Sequence, residues 1–330
     1  MNPLKSPSFE SLEAASDWFV VLSDKPVSET DYLAWQNWLV KDDEHRKAWQ
    51  QVEAVGDMFS SFQNVESNQS ARYVLENQYS RNLNRRQLMK GVMGFTGIAA
   101  LGWLSWEHIK LPILASSWTA DFHTQVGQIS SYDLEDGSKA WLNTSSAINH
   151  HYDTQFRNVS LVIGEILVQT LSTQDYRPFT VSCGHAVISA GKDAARFCVR
   201  HLSNQQAVLA VYDGAVSLAP LNSDSIQVIQ AGQEAIFTSH RIKALQPVEA
   251  MYESWVNGLL IVDGISLADF LAEISRYHYG YINLDPSVEG LRVTGTYPVN
   301  DIDLVFTMLE NSFPIRVKHS LPWWATVASV

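Results

Sequence analysis

The sequence predicts a multi-domain fold: an all-α N-terminal bundle, one transmembrane helix, an all-β domain, and a small α+β domain of order βαββαβ at the C-terminus. Three observations predict it. Apolar residues recur every three or four positions up to about residue 60, every two from about 118 to 238, and in alternating helical and strand patterns after 252. An apolar run without charge, Gly91 to Trp106, directly follows a basic island and separates the first pattern from the second. The chain has 330 residues, enough for two or three units at roughly 150 residues each.

Composition narrows the function classes. Hydrophobic residues make up 46% and charged residues 18%, which excludes a disordered chain. The net charge of −12 argues against a reader of duplex DNA, which needs clustered cations to neutralise phosphates. Two cysteines cannot build a zinc ribbon or a disulfide scaffold. The charge is unevenly spread: residues 1–80 hold 6 basic and 13 acidic side chains, residues 81–90 hold 4 basic and none acidic, and residues 91–330 hold 13 basic and 22 acidic.

Three helices are predicted in the N-terminal unit. Phe9, Leu12, Ala15, Phe19 and Leu22 form the first stripe, which Pro26 ends. Ser28 to Asp31 is a capping-box variant that opens the second helix, with Tyr32, Trp35, Trp38 and Leu39. Asp42, Asp43 and Glu44 favour the positive N-terminus of the third, whose stripe is Ala48, Trp49, Val52, Val55 and Phe59. The indole rings either fill the small core or, in the Trp35 to Trp49 stretch, line an exposed groove for a partner helix. Acidity in this unit suits a basic partner. Residues 60–84, rich in Ser, Asn and Gln, read as a linker.

The apolar run spans roughly 24 Å, short of the hydrocarbon core of about 30 Å. Extension to about 88–106 adds Leu88 and Met89, lets Lys90 snorkel, and sets Trp103 and Trp106 at the far interface. The cations before it place the N-terminus in the cytoplasm. Arg85, Arg86 and Lys90 resemble a twin-arginine export signal, although Asn84 and Met89 depart from it. The 84 residues before Arg85 favour a retained anchor over a cleaved leader. A buried core helix is the alternative.

Short strands with turn signals about every ten residues follow, among them Lys139 to Asn143, Asn158 to Ile163, Arg196 to Arg200 and Ala207 to Val211. Asp136-Gly137, Asp213-Gly214 and Ala231-Gly232 supply turns. Periodicity leaves a sandwich, a β-helix-like stack and a barrel open. After Tyr252 come a strand (Gly258 to Val262), a helix capped by Ser266, strands Tyr281 to Leu284 and Leu291 to Tyr297, a helix with Leu304, Met308 and Leu309 inward, and a closing strand, Ile315 to Lys318.

Three ordered stretches resemble the FecR family of transmembrane sigma-factor regulators. The first is Ala34-Trp35, Trp38-Leu39, Asp43, His45-Arg46 and Ala48-Trp49. The second comprises Leu134 to Ser138, Trp141 to Asn143, Ser145, Arg157 to Leu161, Gly164-Glu165, Arg177 to Phe179, Val211 to Val216 and Ala231 to Gln233. The third, the C-terminal unit, is similar to the small domain at the N-termini of secretins and TonB-linked receptors. The resemblance implies a cytoplasmic anti-sigma domain with linker at 1–84, the twin-arginine motif and membrane helix at 85–110, a periplasmic FecR-like β domain at 115–250, and a receptor-sensing domain at 252–330. It implies an inner-membrane protein with its N-terminus in the cytoplasm and its C-terminus in the periplasm. Its expected partners are an extracytoplasmic-function sigma factor, the signalling domain of a TonB-dependent outer-membrane receptor of iron or siderophore uptake, and membrane proteases, with no direct contact to nucleic acid. No catalysis and no cofactor or metal are expected. The sigma-binding candidates are Trp35, Trp38, Leu39, His45, Arg46 and Trp49; the receptor-contact candidates are Tyr277, Tyr279 and Tyr281. The rival reading is a soluble periplasmic binding protein or enzyme exported through the twin-arginine signal.

Family members that cleave themselves do so at a Gly-Thr step, where the hydroxyl attacks the preceding carbonyl. This chain has Gly191-Lys192 there, and lysine has no such hydroxyl. The purified protein is therefore expected to run as one chain in denaturing electrophoresis; two fragments parting at this bond would contradict it. Cys183 and Cys198 flank the same turn, leaving a cross-hairpin disulfide and two buried thiols both open. His150-His151 and His278 show no paired ligand spacing, and no G-x-S-x-G elbow is present.

Overall fold

The computed structural model describes residues 6–23, 26–67, 120–172, 175–202, 205–249 and 251–330. The chain divides into two compact units, Met1–Leu114 and Ala115–Val330.

The first unit holds α1 (Phe9–Ser23), α2 (Glu29–Lys41) and α3 (Asp43–Ser67). Ser28 caps α2, its hydroxyl accepting from Asp31 N at 3.0 Å. Asp42 ends α2 in an extended conformation, and its carboxylate takes Glu44 N at 2.9 Å, so one residue stops a helix and starts the next. Leu12, Ala15, Ala48 and Val52 form the core between α1 and α3, and α2 contributes no fully buried residue.

Among the described residues no helix is long and apolar enough to cross a membrane, which corrects the expected fold class. Neither long helix qualifies. At 15 residues α1 reaches only about 22 Å and carries Glu10, Glu13 and Asp17. At 25 residues α3 is long enough but carries Asp43, Glu44, Arg46, Lys47, Glu53 and Asp57. The segment expected to cross, with Arg85, Arg86 and Lys90, lies outside the described residues.

The second unit begins with fourteen strands: β1 (Phe122–His123), β2 (Ser130–Asp133), β3 (Lys139–Leu142), β4 (Ala147–Tyr152), β5 (Arg157–Ile163), β6 (Glu165–Gln169), β7 (Phe179–Ser182), β8 (Ala186–Ala190), β9 (Arg196–His201), β10 (Ala207–Asp213), β11 (Ala215–Pro220), β12 (Gln227–Gln230), β13 (Gln233–Phe237) and β14 (Ile242–Pro247). They form two seven-stranded sheets, β1-β4-β5-β7-β8-β11-β12 and β14-β13-β10-β9-β6-β3-β2, so of the three β architectures left open this is the sandwich. All pairings are antiparallel except β5 with β7. Glycines at positive φ sit at two of the corners at which the chain changes sheets: Gly164 joins β5 to β6 and Gly214 joins β10 to β11. A Cβ on Gly164 would meet the Ser146 Cα at 2.6 Å, and one on Gly214 would run into the Ala194 carbonyl oxygen.

The inner faces of both sheets share one core, centred on Ile148, Ile166, Phe179, Ile188, Phe197 and Leu209. The second sheet is also covered on its outer face. There Trp141, Leu167, Cys198 and Ala210 lie in one row of register across β3, β6, β9 and β10, beneath the C-terminal lobe.

That lobe comprises α4 (Met251–Ser254), a 3₁₀ turn (Trp255–Asn257), β15 (Leu259–Ser266), α5 (Leu267–Ile274), a second 3₁₀ turn (Ser275–Tyr277), β16 (Tyr281–Leu284), β17 (Arg292–Pro298), α6 (Ile302–Ser312), β18 (Ile315–Leu321) and β19 (Trp324–Ser329). Ser266 caps α5 and Asp301 caps α6. β15 pairs with β17, and β19 sits between β16 and β18. The expected βαββαβ order is thus one strand short, since β19 follows β18 as a hairpin. Leu304, expected inward, is 46% exposed; Leu309 is buried as expected, and Val305 and Phe306 join it at the core.

Candidate functional site

Two surfaces collect the residues singled out in the sequence. The first is on the helical unit. Trp49 packs edge-on against Trp35, centroids 5.1 Å apart, and against Phe19 at 5.9 Å; Tyr32 covers Trp35 at 5.4 Å. Trp38 stacks flat on His45 at 4.5 Å and 8°, and His45 Nδ1 hydrogen-bonds the Trp38 carbonyl at 2.8 Å. This contact closes the α2–α3 corner. Arg46 pairs with Asp43 one turn back, and its side chain is 58% exposed. Glu44 points the other way, accepting Ser8 N at 2.7 Å and Ser11 Oγ at 3.0 Å, which ties the start of α1 to the start of α3. Burial raises the Glu53 carboxyl, and a hydrogen bond from the Trp49 side chain pulls it back.

All four aromatic candidates of this segment, Trp35, Trp38, His45 and Trp49, are half-buried, as is Leu39. Their neighbours are more open: Val20, Val21, Tyr32, Leu33 and Val40 are 39%, 38%, 47%, 52% and 79% exposed. Leu33 and Val40 stand seven residues apart and so share one face of α2. A helix with no fully buried residue and an apolar outer face in an acidic unit is a candidate contact surface. Sequence reading passed over Val20, Val21, Leu33 and Val40 because it counts apolar residues as core, and only the packing shows which face α1 and α3 leave free.

The second surface is a cleft of about 150 Å³ in the C-terminal lobe, between the start of β16, the first turn of α6 and the β18–β19 hairpin. His278, Tyr279, Tyr281, Phe306, Trp323 and Trp324 line it. Tyr281 stacks on Trp324 at 4.5 Å, and Tyr279 is 38% exposed. His278 Nε2 and Trp324 Nε1 have no hydrogen-bond partner among the described residues. Burial lowers the His278 pKa, which keeps its ring neutral at pH 7. Tyr277 is not part of this cleft. It is 3% exposed, on the 3₁₀ turn after α5, and its hydroxyl accepts from Asn143 Nδ2 in the β sandwich at 2.8 Å.

The two cysteines are both free and buried, and no disulfide joins them. The strands on either side of Gly191 belong to different sheets, so the hairpin that would have paired them does not exist. Among the described residues no cluster of His, Cys, Asp or Glu could hold a metal ion.

Comparison with known proteins follows the same division. Residues 120–217 match the family model described as FecR protein, and residues 13–55 match one described as a domain of unknown function (DUF4880). Two crystal structures of a candidate anti-sigma factor from Parabacteroides distasonis share the fold, each with a TM-score of 0.52 and 18% identity, covering 63% of this chain and 98% of theirs. No curated protein matches the chain.

Proposed function

This chain resembles the FecR-like regulators of sigma factors in its helical segment and in its β sandwich, and from that premise we propose that it binds and regulates an extracytoplasmic-function sigma factor through the helical unit. The observation that carries the reading is the aromatic, apolar face of α2, set in a segment of 6 basic and 13 acidic residues over positions 1–80. Such a face suits a basic, helical protein and repels nucleic acid. Co-purification of the full chain with the sigma factors of its own cell tests it. One sigma factor retained in stoichiometric amount is the expected result, and retention of none would sink the reading.

The upstream half of the proposal concerns the signal. The C-terminal lobe meets the signalling domain of a ligand-loaded TonB-dependent receptor of iron or siderophore uptake, and membrane proteases then release the helical unit. The cleft beside β16 supports the lobe as the contact, because β16 is a sheet edge open to pairing and Tyr279 stands at its start. This requires the helical unit in the cytoplasm and the lobe on the periplasmic side of the inner membrane. Replacing Tyr279 by Ala is expected to weaken binding of the isolated receptor signalling domain about tenfold in titration calorimetry, with the melting temperature unchanged. Equal affinity of variant and wild type would remove the cleft from the contact.

A further inference from the structure

Two motifs of the β sandwich, Asn143 and Gly164-Glu165, have no part in either surface. Glu165 begins β6 on the outer face of the second sheet and is fully buried. Its carboxylate accepts from Arg276 Nη2 of the lobe at 2.8 Å and from Asn143 Nδ2 at 2.9 Å, with Arg200 Nε at 3.9 Å. Arg276 also pairs with Glu273, and Glu273 takes Arg200 Nη2 at 2.7 Å, closing a ring of four charges, two from the sandwich and two from the lobe. The Thr144 hydroxyl donates to the Arg276 carbonyl at 3.0 Å, and Arg196 of β9 pairs with Glu253 of α4. Burial alone would raise the Glu165 carboxyl; the guanidinium groups of Arg276 and Arg200, and hydrogen bonds from Arg276 and Asn143, bring it below its ordinary value.

We propose that this ring is a latch, and that the lobe of residues 251–330 lifts off the sandwich reversibly as one body, uncovering the apolar row beneath it while the sandwich core and the packing within the lobe stay intact. The cores themselves permit it. One lies wholly within the sandwich, and the other is built mainly of lobe residues such as Leu260, Phe270, Ile274, Val305 and Leu309. On the sandwich side the second core takes in Leu167, Cys198 and Ala210, fully buried, with Ile129, Trp141 and Tyr212 half-buried against it. The chain passes from sandwich to lobe once, between Pro247 and Met251. An interface that sets a ring of charges beside a short apolar row differs from a core in what separation exposes. Each half returns ionised groups to water, which offsets much of the lost attraction, whereas removing one partner while the halves stay docked leaves an uncompensated buried charge. The latch therefore favours either a fully docked lobe or a fully hydrated one.

The two cysteines of the chain report on the two states separately. Cys198 lies under the lobe and Cys183 within the sandwich core. Maleimide labelling of the full-length protein, with the site read by mass spectrometry, is expected to modify Cys198 well before Cys183 in sub-denaturing urea. Arg276→Gln should speed labelling of Cys198 on the order of 100-fold and leave Cys183 within about twofold. If the two thiols react together in the wild type, or if Arg276→Gln leaves their ratio unchanged, the lobe does not open on its own and the latch is refuted. Should the variant expose both thiols at once it is unfolded, and the wild-type urea series decides alone.

Discussion

Replacing Arg157 by Met is expected to destabilise the β sandwich by about 3–5 kcal/mol, lowering its melting temperature by about 10 °C. Arg157 is the first residue of β5, and its side chain is 4% exposed. Its Nη1 donates to Asp136 Oδ2 at 2.7 Å, and its Nε and Nη2 both donate to the Arg177 carbonyl, at 3.1 and 2.9 Å. Asp136, 7% exposed at its side chain, also holds its own turn by accepting Ser138 N at 3.1 Å, and it takes the Tyr152 hydroxyl at 3.1 Å. A methionine fills similar space but leaves a buried carboxylate without its cation and a buried carbonyl without donors. The control is the double variant Asp136→Leu with Arg157→Met, in which neither charge remains. Because desolvation opposes the pair, this double change should cost less than Arg157→Met alone. Thermal unfolding of the three proteins checks it; a loss under about 1 kcal/mol for the single variant, or a double variant that is worse, would mean the corner contributes by packing and not by charge.

That corner also shows what a linear reading can reach. Asp136, Arg157 and Arg177 stand in three separate stretches that the sequence singles out, and the fold brings all three to one point because β5 and β7 run side by side. Two helix caps were equally plain, since Ser28 and Ser266 each act within three residues of themselves. What stayed hidden depends on a second covering layer. Strand β6 and strand β19 are buried on both faces, so neither shows the alternation that marks a half-exposed strand. Glu165 looks like a surface residue until its partner Arg276, 111 residues later, is brought over it. Tyr277, Tyr279 and Tyr281 alternate as if on one strand face, yet a 3₁₀ turn ends at Tyr277 and sends it into the sandwich while the other two line the cleft. Among the sigma-binding candidates, the sequence left each indole ring free to be core or contact, and α2, with no fully buried residue, separates them only by their neighbours.

Those neighbours make the second large effect a contrast between two tryptophans of the same unit. Trp49 lies on α3 beside the buried Ala48 and one turn from Val52, and it meets both Trp35 and Phe19, one ring from each of the other helices. Trp49→Ala removes the ring that joins all three, so it is expected to cost about 2–3 kcal/mol of stability and to weaken sigma-factor binding only through unfolding. Trp38 meets His45 and lies on the helix that contributes no fully buried residue. Trp38→Ala should therefore cost about 1 kcal/mol or less in stability yet weaken sigma-factor affinity about 30-fold, the loss expected for an aromatic anchor worth about 2 kcal/mol. Val40→Asp is the companion test, because Val40 is 79% exposed and a charge there perturbs only what covers it. Its affinity should fall about tenfold at an unchanged melting temperature. Calorimetric titration of the full chain with its sigma factor, beside thermal melts of the same samples, separates the outcomes. If Trp38→Ala and Val40→Asp both bind like the wild type, the α2 face is not the contact, and the acidic first turn of α3, with Asp43 and Glu44, becomes the next surface to test.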